Sequence, residues 1–380
     1  MKKLIPFLLA AVFAVACSSK SMNENRTISF LSNSITLKIG DTFHIDPLIN
    51  DGTAHYDLKT NPWNVKFEVA NPSVVSVSAT GIVTALASGS TAIKLTGDGV
   101  TTSSDINVTV LKKKEINIKV MSFNAKVDDR SGTVTDWNHR RDGAVAMIKE
   151  NGPDLIGLQE GQAHEITYLA KNLTDYRWYG LGRDTGEVPA TTDSYSREES
   201  MAIFYNAKVL KMEESGTFWL SETPEKISFG WDADYRRTCT WARFTIIETG
   251  KTIFFFNTHL DNKGATARQE SIKLIVSKMA SINPNGNPSF LTADFNSATT
   301  SAIFEPLKAV MHDARTTAPS TDSHNTFHNY ESAAGKSTID HVWYGGTTNI
   351  ALKYHTVIEK YAGIQYVSDH YPVYGEFQVK

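Results

Sequence analysis

The stretch Thr292-Ala293-Asp294-Phe295-Asn296 decides the fold of most of this chain. It closes the strand-like segment Pro288–Thr292, and a second stretch of the same kind, Ser368-Asp369-His370, precedes the apolar segment Val373–Val379. In each case an apolar strand meets a tip of acidic and hydrogen-bonding side chains. Two such tips, far apart in sequence but pointed at one place, can hold a hard divalent cation and activate a water beside it. The pattern predicts a layered β fold whose strand ends share a pocket.

Further strand-like segments carry tips of the same type. Carboxylate, amide or imidazole side chains stand at their ends, at Asn124, Glu160, Glu199, His259 and Asp340. Mg²⁺ prefers carboxylate and water oxygens. Hydrolysis of a phosphate ester needs such an ion, an oriented water, and donors for the charge that develops. The residue types therefore predict a metal-dependent phosphoesterase, with Mg²⁺ as the expected ion and Mn²⁺ as the alternative.

Composition sets only broad limits on function. The chain has 380 residues, of which 41% are hydrophobic, and this suffices for two or three domains with their own cores. The formal net charge is −3, and residues 116–380 carry 27 basic and 32 acidic side chains, a balance of −5. Proteins that grip long nucleic acids usually show a basic excess. The composition thus disfavours a nucleic-acid-specific enzyme without excluding one.

The first 26 residues predict export and a lipid anchor. Lys2 and Lys3 precede the apolar run Leu4–Ala16, which is too short to span a bilayer as a mature helix. Small residues then precede Cys17, as in the lipobox of bacterial lipoproteins, which this segment resembles. The resemblance implies a signal peptide over residues 1–16, acylation of Cys17, a tether over residues 17–26, and a place at the cell envelope, with the outer membrane expected. An ordinary secretory signal is the alternative.

Residues 27–111 predict a small all-β domain. Seven short alternating runs are separated by Gly, Asn, Asp and Ser at hairpin spacing, which suits a two-sheet sandwich. The runs Asn71–Val77, Thr80–Ala85 and Gly89–Ile93 resemble the bacterial Ig-like domain of group 2. A spacer or weak adhesion role is expected, because no acids or histidines cluster here. The charged segment 112–115 is interpreted as a linker.

Residues 116–380 show a different pattern. Trp137–Glu150 and Ala265–Met279 have the spacing of amphipathic helices, and the short segment Glu165–Asn172 between them is also predicted to be helical. Strand-like runs lie between and beyond these segments. Several of these runs are adjacent, which predicts an α/β (α+β) arrangement around mixed sheets rather than a purely parallel doubly wound sheet. The long polar stretch Tyr179–Ser200 is interpreted as a loop near the substrate.

Six motifs, in order along the chain, resemble those of the endonuclease/exonuclease/phosphatase superfamily, to which deoxyribonuclease I belongs. They are Met121-Ser122-Phe123-Asn124, Leu158-Gln159-Glu160, Asn257-Thr258-His259-Leu260, Ala293-Asp294-Phe295-Asn296, Ile339-Asp340-His341 and Ser368-Asp369-His370. The likeness covers residues 117–379. It implies a four-layer α/β/β/α sandwich of the deoxyribonuclease I-like type for residues 116–380, preceded by the small Ig-like sandwich.

The resemblance also implies a role for each matched side chain near the metal. Glu160 is expected to be the principal metal carboxylate, with Asn124 and Asp369 near the same ion. Asp294 and Asn296 are expected to orient and deprotonate the attacking water.

Two histidines are expected to contact the phosphate by the same resemblance. His259 would be held by Glu199, and His370 by Asp340. A carboxylate behind a histidine fixes its tautomer and favours the imidazolium, which stabilises a more negative transition state. Arg237 resembles a phosphate-side arginine of the bacterial secreted members.

The expected function is an exported, lipid-anchored, Mg²⁺-dependent phosphodiesterase of nuclease or sphingomyelinase type, in which water attacks phosphorus in line. Its expected partners are the membrane and a phosphate-ester substrate, either nucleic acid, a nucleotide or a phospholipid headgroup; no protein partner is expected. The alternative is a surface binding or adhesion lipoprotein whose second domain is inert. The enzyme is favoured over the inert binding protein because the chain contains the complete polar set, Glu160, Asp294, Asn296 and Asp369.

Overall fold

The computed structural model describes residues 26–50, 52–102, 104–112, 115–331, 336–346 and 349–379. The chain divides into two compact units, one ending at residue 113 and the other beginning at residue 114, inside the segment 112–115 interpreted as a linker. The signal peptide, Cys17 and all but the last residue of the tether lie outside the described residues. No helix within the described ranges is long and apolar enough to cross a membrane.

The described part of the first unit is built from short strands. These are β1 (Arg26–Ile28), β2 (Ser34–Lys38), β3 (Thr42–His44), β4 (Leu48–Ile49), β5 (Ala54–His55), β6 (Lys66–Val69), β7 (Val75–Val77), β8 (Ile82–Ala85), β9 (Gly89–Thr96), β10 (Val100–Thr102) and β11 (Ile106–Leu111). One sheet has the order β2-β11-β9-β6 and another the order β3-β8-β7, with β1-β10 and β4-β5 as separate pairs.

The core of this unit follows from the alternation in its strands. Burial alternates strictly along β11, where Ile106, Val108 and Val110 face inward against Ile35 and Ile93. All seven predicted runs are strands, and the Ig-like prediction is confirmed. The sequence did not predict β3, β4, β5 and β10, because two or three residues are too few for alternation to be recognised.

The second unit alternates strands and helices. It contains β12 (Ile116–Asn124), α1 (Trp137–Asn151), β13 (Leu155–Gln159), β14 (Gly161–Gln162), α2 (Ala163–Asn172), β15 (Tyr176–Tyr179), β16 (Glu199–Ser200), β17 (Ile203–Asn206), β18 (Leu210–Trp219), β19 (Thr238–Ile246), β20 (Thr252–His259), α3 (Ala265–Ile282), β21 (Ser289–Asp294), α4 (Glu305–Lys308), β22 (Met311–Asp313), α5 (Ala314–Thr317), β23 (Asp340–Gly345), β24 (Asn349–Thr356) and β25 (Val373–Val379).

Two six-stranded sheets form the centre of this unit. Their orders are β15-β17-β13-β12-β25-β24 and β18-β19-β20-β21-β23-β22. Their inner faces share one apolar core, in which Val120 and Phe377 of the first sheet belong with Phe244, Phe255 and Phe290 of the second. Burial of such aromatic and aliphatic side chains stabilises each by roughly 1.5–3 kcal/mol. The two sheets therefore stack face to face.

Helices cover the outer faces of both sheets. Trp137, Met147 and Ile148 of α1, with Ile166 and Leu169 of α2, pack on the first sheet. Helix α3 packs on the second sheet through its buried residues, among them Ile272, Ile275 and Met279. The four-layer α/β/β/α prediction is confirmed.

Candidate active site

Strand register brings the polar tips together. Strands β12 and β13 run parallel with Asn124 opposite Gln159, so Asn124 and the following Glu160 leave the first sheet at one edge. In the second sheet, Asp294 of β21 stands between His259 of β20 and Asp340 of β23. The five polar ends are thus placed by backbone pairing and not by loop conformation.

The backbone turns sharply at two of these ends. Glu160 has φ 58° and Asn296 has φ 48°, both in the left-handed region that side-chain-bearing residues seldom occupy. Such conformations cost free energy and concentrate at functional sites. Here they turn the chain away from the strand axis, directly after β13 ends at Gln159 and two residues after β21 ends at Asp294.

A pocket of about 310 Å³ lies at these strand ends. Most predicted site residues line it, namely Glu160, Glu199, Arg237, His259, Asp294, Asn296, Asp369 and His370. Asn124 and Asp340 are buried directly behind: the Asn124 amide donates to Glu160 (3.1 Å) and Asp294 (3.0 Å), and Asp340 contacts His370. The structure therefore brings together every residue predicted for the catalytic pocket.

The acidic residues of the pocket suit a hard cation. Ligand atoms of Glu160, His259 and Asp294 lie within 4.8 Å of one another, as do those of Asp294, Asp340 and His370. Burial, reinforced by the nearby Asp340 carboxylate, raises the pKa of Asp294 to about 7. Burial also raises the pKa of Asp369. A cation beside these oxygens would offset the cost of burying their charges, so the residues fit a divalent metal.

His370 and Asp340 form a buried pair. The carboxylate Oδ2 of Asp340 lies 2.8 Å from His370 Nδ1, and His370 Nε2 lies 3.7 Å from Asp294 Oδ2. Burial opposes protonation of the ring, but Asp340, Asp294 and Asp369 outweigh it and raise the pKa of His370 to about 10. His370 is therefore an imidazolium at neutral pH, as the sequence predicted.

His259 differs from its prediction. Burial, with Arg237, His370 and Arg183 nearby, lowers the pKa of His259 well below its usual value, so the ring is neutral. Its Nε2 lies 2.9 Å from the Asn296 amide, and among the described residues its buried Nδ1 has no hydrogen-bond partner.

The predicted contact between Glu199 and His259 is therefore wrong. Arg183 Nη1 donates to Glu199 Oε2 at 2.7 Å instead. The physical reason is that a buried carboxylate gains more from a full guanidinium charge than from a neutral ring.

Sequence reasoning missed two residues that shape the pocket. Arg183 lines it from the stretch Tyr179–Ser200, most of which forms no regular structure. Asp261 lies 3.5 Å from Arg237 Nε and accepts backbone N–H groups of Asp234 and Tyr235. Asp261 thus positions the segment that carries Arg237. The sequence gives one indication that Asp261 belongs near the pocket, which is its position two residues after His259.

These features define a class of protein. The model of the Endonuclease/Exonuclease/phosphatase family matches residues 121–370, and the chain belongs to this family. Residues 55–101 match the bacterial Ig-like domain (group 2). The family consists of phosphoester hydrolases that are generally dependent on divalent metals, so the prediction of an enzyme is confirmed.

Known relatives resemble the second unit over most of their length. An endonuclease/exonuclease/phosphatase from Bacteroides vulgatus is 29% identical, with a TM-score of 0.64, over 70% of this chain and 100% of that one. A mannosyl-6-phosphatase from Bacteroides thetaiotaomicron is 29% identical, with a TM-score of 0.62, over 68% and 99%. An uncharacterized protein, L388, of Acanthamoeba polyphaga mimivirus is 26% identical over 260 residues, 63% of this chain and 92% of its own.

Proposed function

We propose that the second unit is a Mg²⁺-dependent hydrolase of phosphate monoesters that uses in-line attack by water. The observation that carries this proposal is the set of charges in one pocket of about 310 Å³. Carboxylates at Glu160, Asp294 and Asp369 meet the His370 imidazolium and the Arg237 guanidinium there. Anionic and cationic groups arranged in this way can hold a cation and a phosphoryl group side by side.

Each side chain has a distinct task in this reaction. The Asp294 carboxylate takes the proton from the attacking water, and the backbone N–H of Asn296 holds its Oδ1 at 2.8 Å. The His370 imidazolium and Arg237 bind phosphoryl oxygens and stabilise their growing charge. His259, neutral and contacted by the Asn296 amide, orients water or a phosphoryl oxygen.

Glu160, Asp369 and Asn124 would hold the metal, with Asp294 at its edge. Bound there, a Mg²⁺ ion would supply positive charge to a non-bridging phosphoryl oxygen.

The similarity to a sugar phosphatase favours a monoester over the diester expected from the sequence. The mannosyl-6-phosphatase relative is named for a sugar phosphate, and a sugar phosphate of this kind is a monoester.

The test compares two esters and two metals. Purified protein is treated with EDTA and assayed on p-nitrophenyl phosphate and bis(p-nitrophenyl) phosphate, before and after addition of Mg²⁺ or Mn²⁺. We expect turnover to vanish with EDTA, to return with Mg²⁺, and to be faster on the monoester. Turnover that survives EDTA would refute the proposed metal dependence. Faster turnover of the diester would refute the preference for monoesters and favour a phosphodiesterase.

Metal binding can be measured without turnover. We expect Mg²⁺ to raise the melting temperature of the wild-type protein, because an ion that binds only the folded state stabilises it. Glu160→Gln should abolish this rise, whereas Glu150→Gln, at the exposed end of α1, should keep it. Equal rises in both variants would place the ion elsewhere.

We also propose that the protein is exported and lipid-anchored through Cys17, with the Ig-like unit as a spacer. The support is the sequence of residues 1–26 described above. Growth with labelled palmitate should label the wild-type protein and leave Cys17→Ala unlabelled. Cys239→Ala is the control, since the chain has only these two cysteines and Cys239 is buried. Label on Cys17→Ala would exclude the anchor.

A further inference from the structure

A second cavity, of about 430 Å³, lies beside the catalytic pocket. We call it the flanking cavity; its lining includes Asp128, Arg130, Arg141, His164, Tyr168 and Tyr195. None of these side chains lines the catalytic pocket or takes part in the reaction described above.

The two cavities meet at consecutive residues. Val127 lines the catalytic pocket and Asp128 lines the flanking cavity, and their Cα atoms are about 3.8 Å apart. The backbone N–H of Val127 donates to Glu160 Oε2, and that of Asp128 donates to Gln162 Oε1, each at 2.9 Å. The wall between the cavities, at residues 127 and 128, is therefore hydrogen-bonded to Glu160, the proposed metal ligand. A substrate with its phosphate at Glu160 would have to pass this wall to reach the flanking cavity.

The acidic side chains of the flanking cavity are already satisfied. Asp128 accepts the backbone N–H groups of Arg130 and Trp137 and lies 3.0 Å from His164 Nε2. Both oxygens of Asp193 bind Lys171 Nζ at 2.8 Å. The lining as a whole stays cationic, because Arg130, Arg141 and Lys171 stand against the two carboxylates.

Two guanidinium groups in the flanking cavity are not neutralised. Among the described residues, neither Arg130 nor Arg141 forms an ion pair with a carboxylate. Arg130 lies over the ring of Tyr195 at 4.9 Å, and Arg141 lies over Tyr168 at 4.5 Å. Arg141 Nη1 also donates to the Asn138 amide oxygen at 2.7 Å. Contact with a ring or a neutral amide restricts a guanidinium but leaves its charge and its remaining N–H groups for an oxyanion. Because the guanidinium groups cover these ring faces, stacking of a sugar on them is disfavoured.

Backbone geometry and unused nitrogen atoms add independent support. Arg130 has φ 50°, a conformation that costs free energy in a non-glycine residue and accumulates at ligand sites. Trp137 Nε1 and His164 Nδ1, on two side chains of the cavity wall, are buried and have no hydrogen-bond partner in the described parts of the chain. Such atoms are rare in folded proteins. Trp137 Nε1 is a donor, whereas His164 Nδ1 is an acceptor because the neutral ring donates through Nε2 to Asp128. A polar ligand that offers both an acceptor and a donor would satisfy them.

We propose that the flanking cavity binds a second phosphate group of the substrate, through Arg130 and Arg141. The preferred substrates would then be small molecules that carry two phosphates, one hydrolysed at Asp294 and the other held beyond Val127. This inference rests on the proposed function for its substrate class. The site itself rests on two guanidinium groups that have no ion-pair partner among the described residues, and on the cavity wall at Val127, which is hydrogen-bonded to Glu160.

The kinetic test compares two substrates that differ by one phosphate. Phosphate release from fructose 6-phosphate and fructose 1,6-bisphosphate is measured for the wild-type protein, Arg130→Gln, Arg141→Gln and the double variant. We expect the wild-type protein to favour the bisphosphate in kcat/KM. Each substitution should reduce the ratio of the two kcat/KM values by about tenfold, the loss expected for one charged hydrogen bond, mainly through KM. Arg243→Gln is the control and should keep the wild-type ratio, because Arg243 is a half-buried arginine on β19 that lines neither cavity.

An unchanged ratio in the double variant would overturn the second phosphate site. A 5′-phosphorylated thymidine dinucleotide is a further substrate: a preference for it over the bisphosphate, lost in the double variant, would transfer the site to the neighbouring phosphate of a nucleic acid and refute the small-molecule assignment.

A binding measurement separates this inference from the proposed function. If the protein hydrolyses no phosphate ester, calorimetric titration with inorganic sulfate still tests the cavity. We expect the wild-type protein to bind one more sulfate than the double variant. Equal stoichiometry in the two proteins would refute the anion site whatever the activity of the catalytic pocket.

Discussion

Asp340 Oδ2 lies 2.8 Å from His370 Nδ1, and both side chains are buried, Asp340 at the start of β23 and His370 three residues before β25. The carboxylate holds the ring so that its other nitrogen, Nε2, is directed toward Asp294, 3.7 Å away. A buried charge beside the ring is what keeps His370 protonated despite its burial. The pair therefore fixes both the orientation and the charge of the group that we propose to contact the phosphate.

Asp340→Asn should reduce kcat at neutral pH by about 10²-fold or more, the range for a lost acid–base or charged group. The wild-type pKa of His370, about 10, keeps the ring charged through the neutral range. Without Asp340 that pKa falls, so kcat of the variant should decline as pH rises through neutrality. The measurement is kcat between pH 5 and pH 9.

The matched control is Asp313→Asn. Asp313 Oδ2 lies 3.0 Å from His341 Nδ1 in a buried pair outside the catalytic pocket. This variant should retain the wild-type pH profile. Parallel profiles for Asp340→Asn and the wild-type protein would disprove the role of the His370 charge.

Arg237→Gln should lower kcat/KM on a phosphate monoester by about 10²-fold, the loss expected when one preorganised donor to the transition state is removed. Arg237 lines the catalytic pocket and is buried, with Asp261 at 3.5 Å. The neighbouring Arg236 pairs with Asp184 nearer the surface, so Arg236→Gln should stay within about twofold of the wild-type value. Steady-state kinetics on both variants test this prediction. Similar losses of kcat/KM in the two variants would show that Arg237 does not bind the phosphoryl group.

Gly157→Ala should destabilise the second unit by about 1–3 kcal/mol, the usual cost of overpacking a core. A Cβ at Gly157 on β13 would lie 1.9 Å from Thr292 Oγ1 and 2.4 Å from Asn257 Oδ1 of the opposite sheet. Urea unfolding measures the loss. Gly250→Ala, where nothing lies within 4 Å but φ is 70°, gives the cost of backbone strain alone. A smaller loss at Gly157 than at Gly250 would contradict the close approach.

Asp154→Asn should stabilise the protein at neutral pH by about 3 kcal/mol, from a shift of about two pKa units. Burial raises the pKa of Asp154 to about 6 from an ordinary 3.8, although its carboxylate accepts the Lys119 N–H at 2.9 Å. The folded state therefore binds the proton more tightly than the unfolded state. The stability that this proton contributes is complete below about pH 4 and is lost as pH rises through 6.

The check is the difference in unfolding free energy between Asp154→Asn and the wild-type protein at several pH values. We expect it to grow from pH 4 to pH 7. The exposed Asp175 offers a control, since Asp175→Asn should show no such trend. A constant difference for Asp154→Asn would argue against a raised pKa.

Strand ends could be predicted from sequence because their signals are local. Each apolar run is followed at once by its polar tip, and parallel or antiparallel pairing then aligns the tips, as it does for His259, Asp294 and Asp340. The partners of Glu199 could not be predicted in this way. Its contact with Arg183 depends on the path of residues 180–198, which have little regular structure and no periodicity to read.

Helix boundaries show a similar limit. The prediction placed the start of the second helix at Glu165, whereas α2 begins at Ala163. The Glu165 side chain reaches back to the Gln162 backbone N–H at 3.0 Å and completes a capping box, which sets the start two residues earlier. The flanking cavity was not predicted either, because Arg141 meets Tyr168 only after α1 packs against α2, and Arg130 and Tyr195 lie in segments without regular structure.

Beneath the catalytic pocket, Asn257 accepts from both Gln159 (2.7 Å) and Thr292 (3.0 Å), and so joins the two sheets one residue before Glu160 and two before Asp294. Glu160, proposed to hold the metal, and Asp294, proposed to activate the water, therefore belong to opposite sheets of the second unit, which the buried amides of Asn257 and Asn124 join. Any sliding of one sheet past the other would pull the reacting groups apart at once. Heat should consequently inactivate this enzyme in the same transition that melts it, with no folded but inactive form accumulating beforehand.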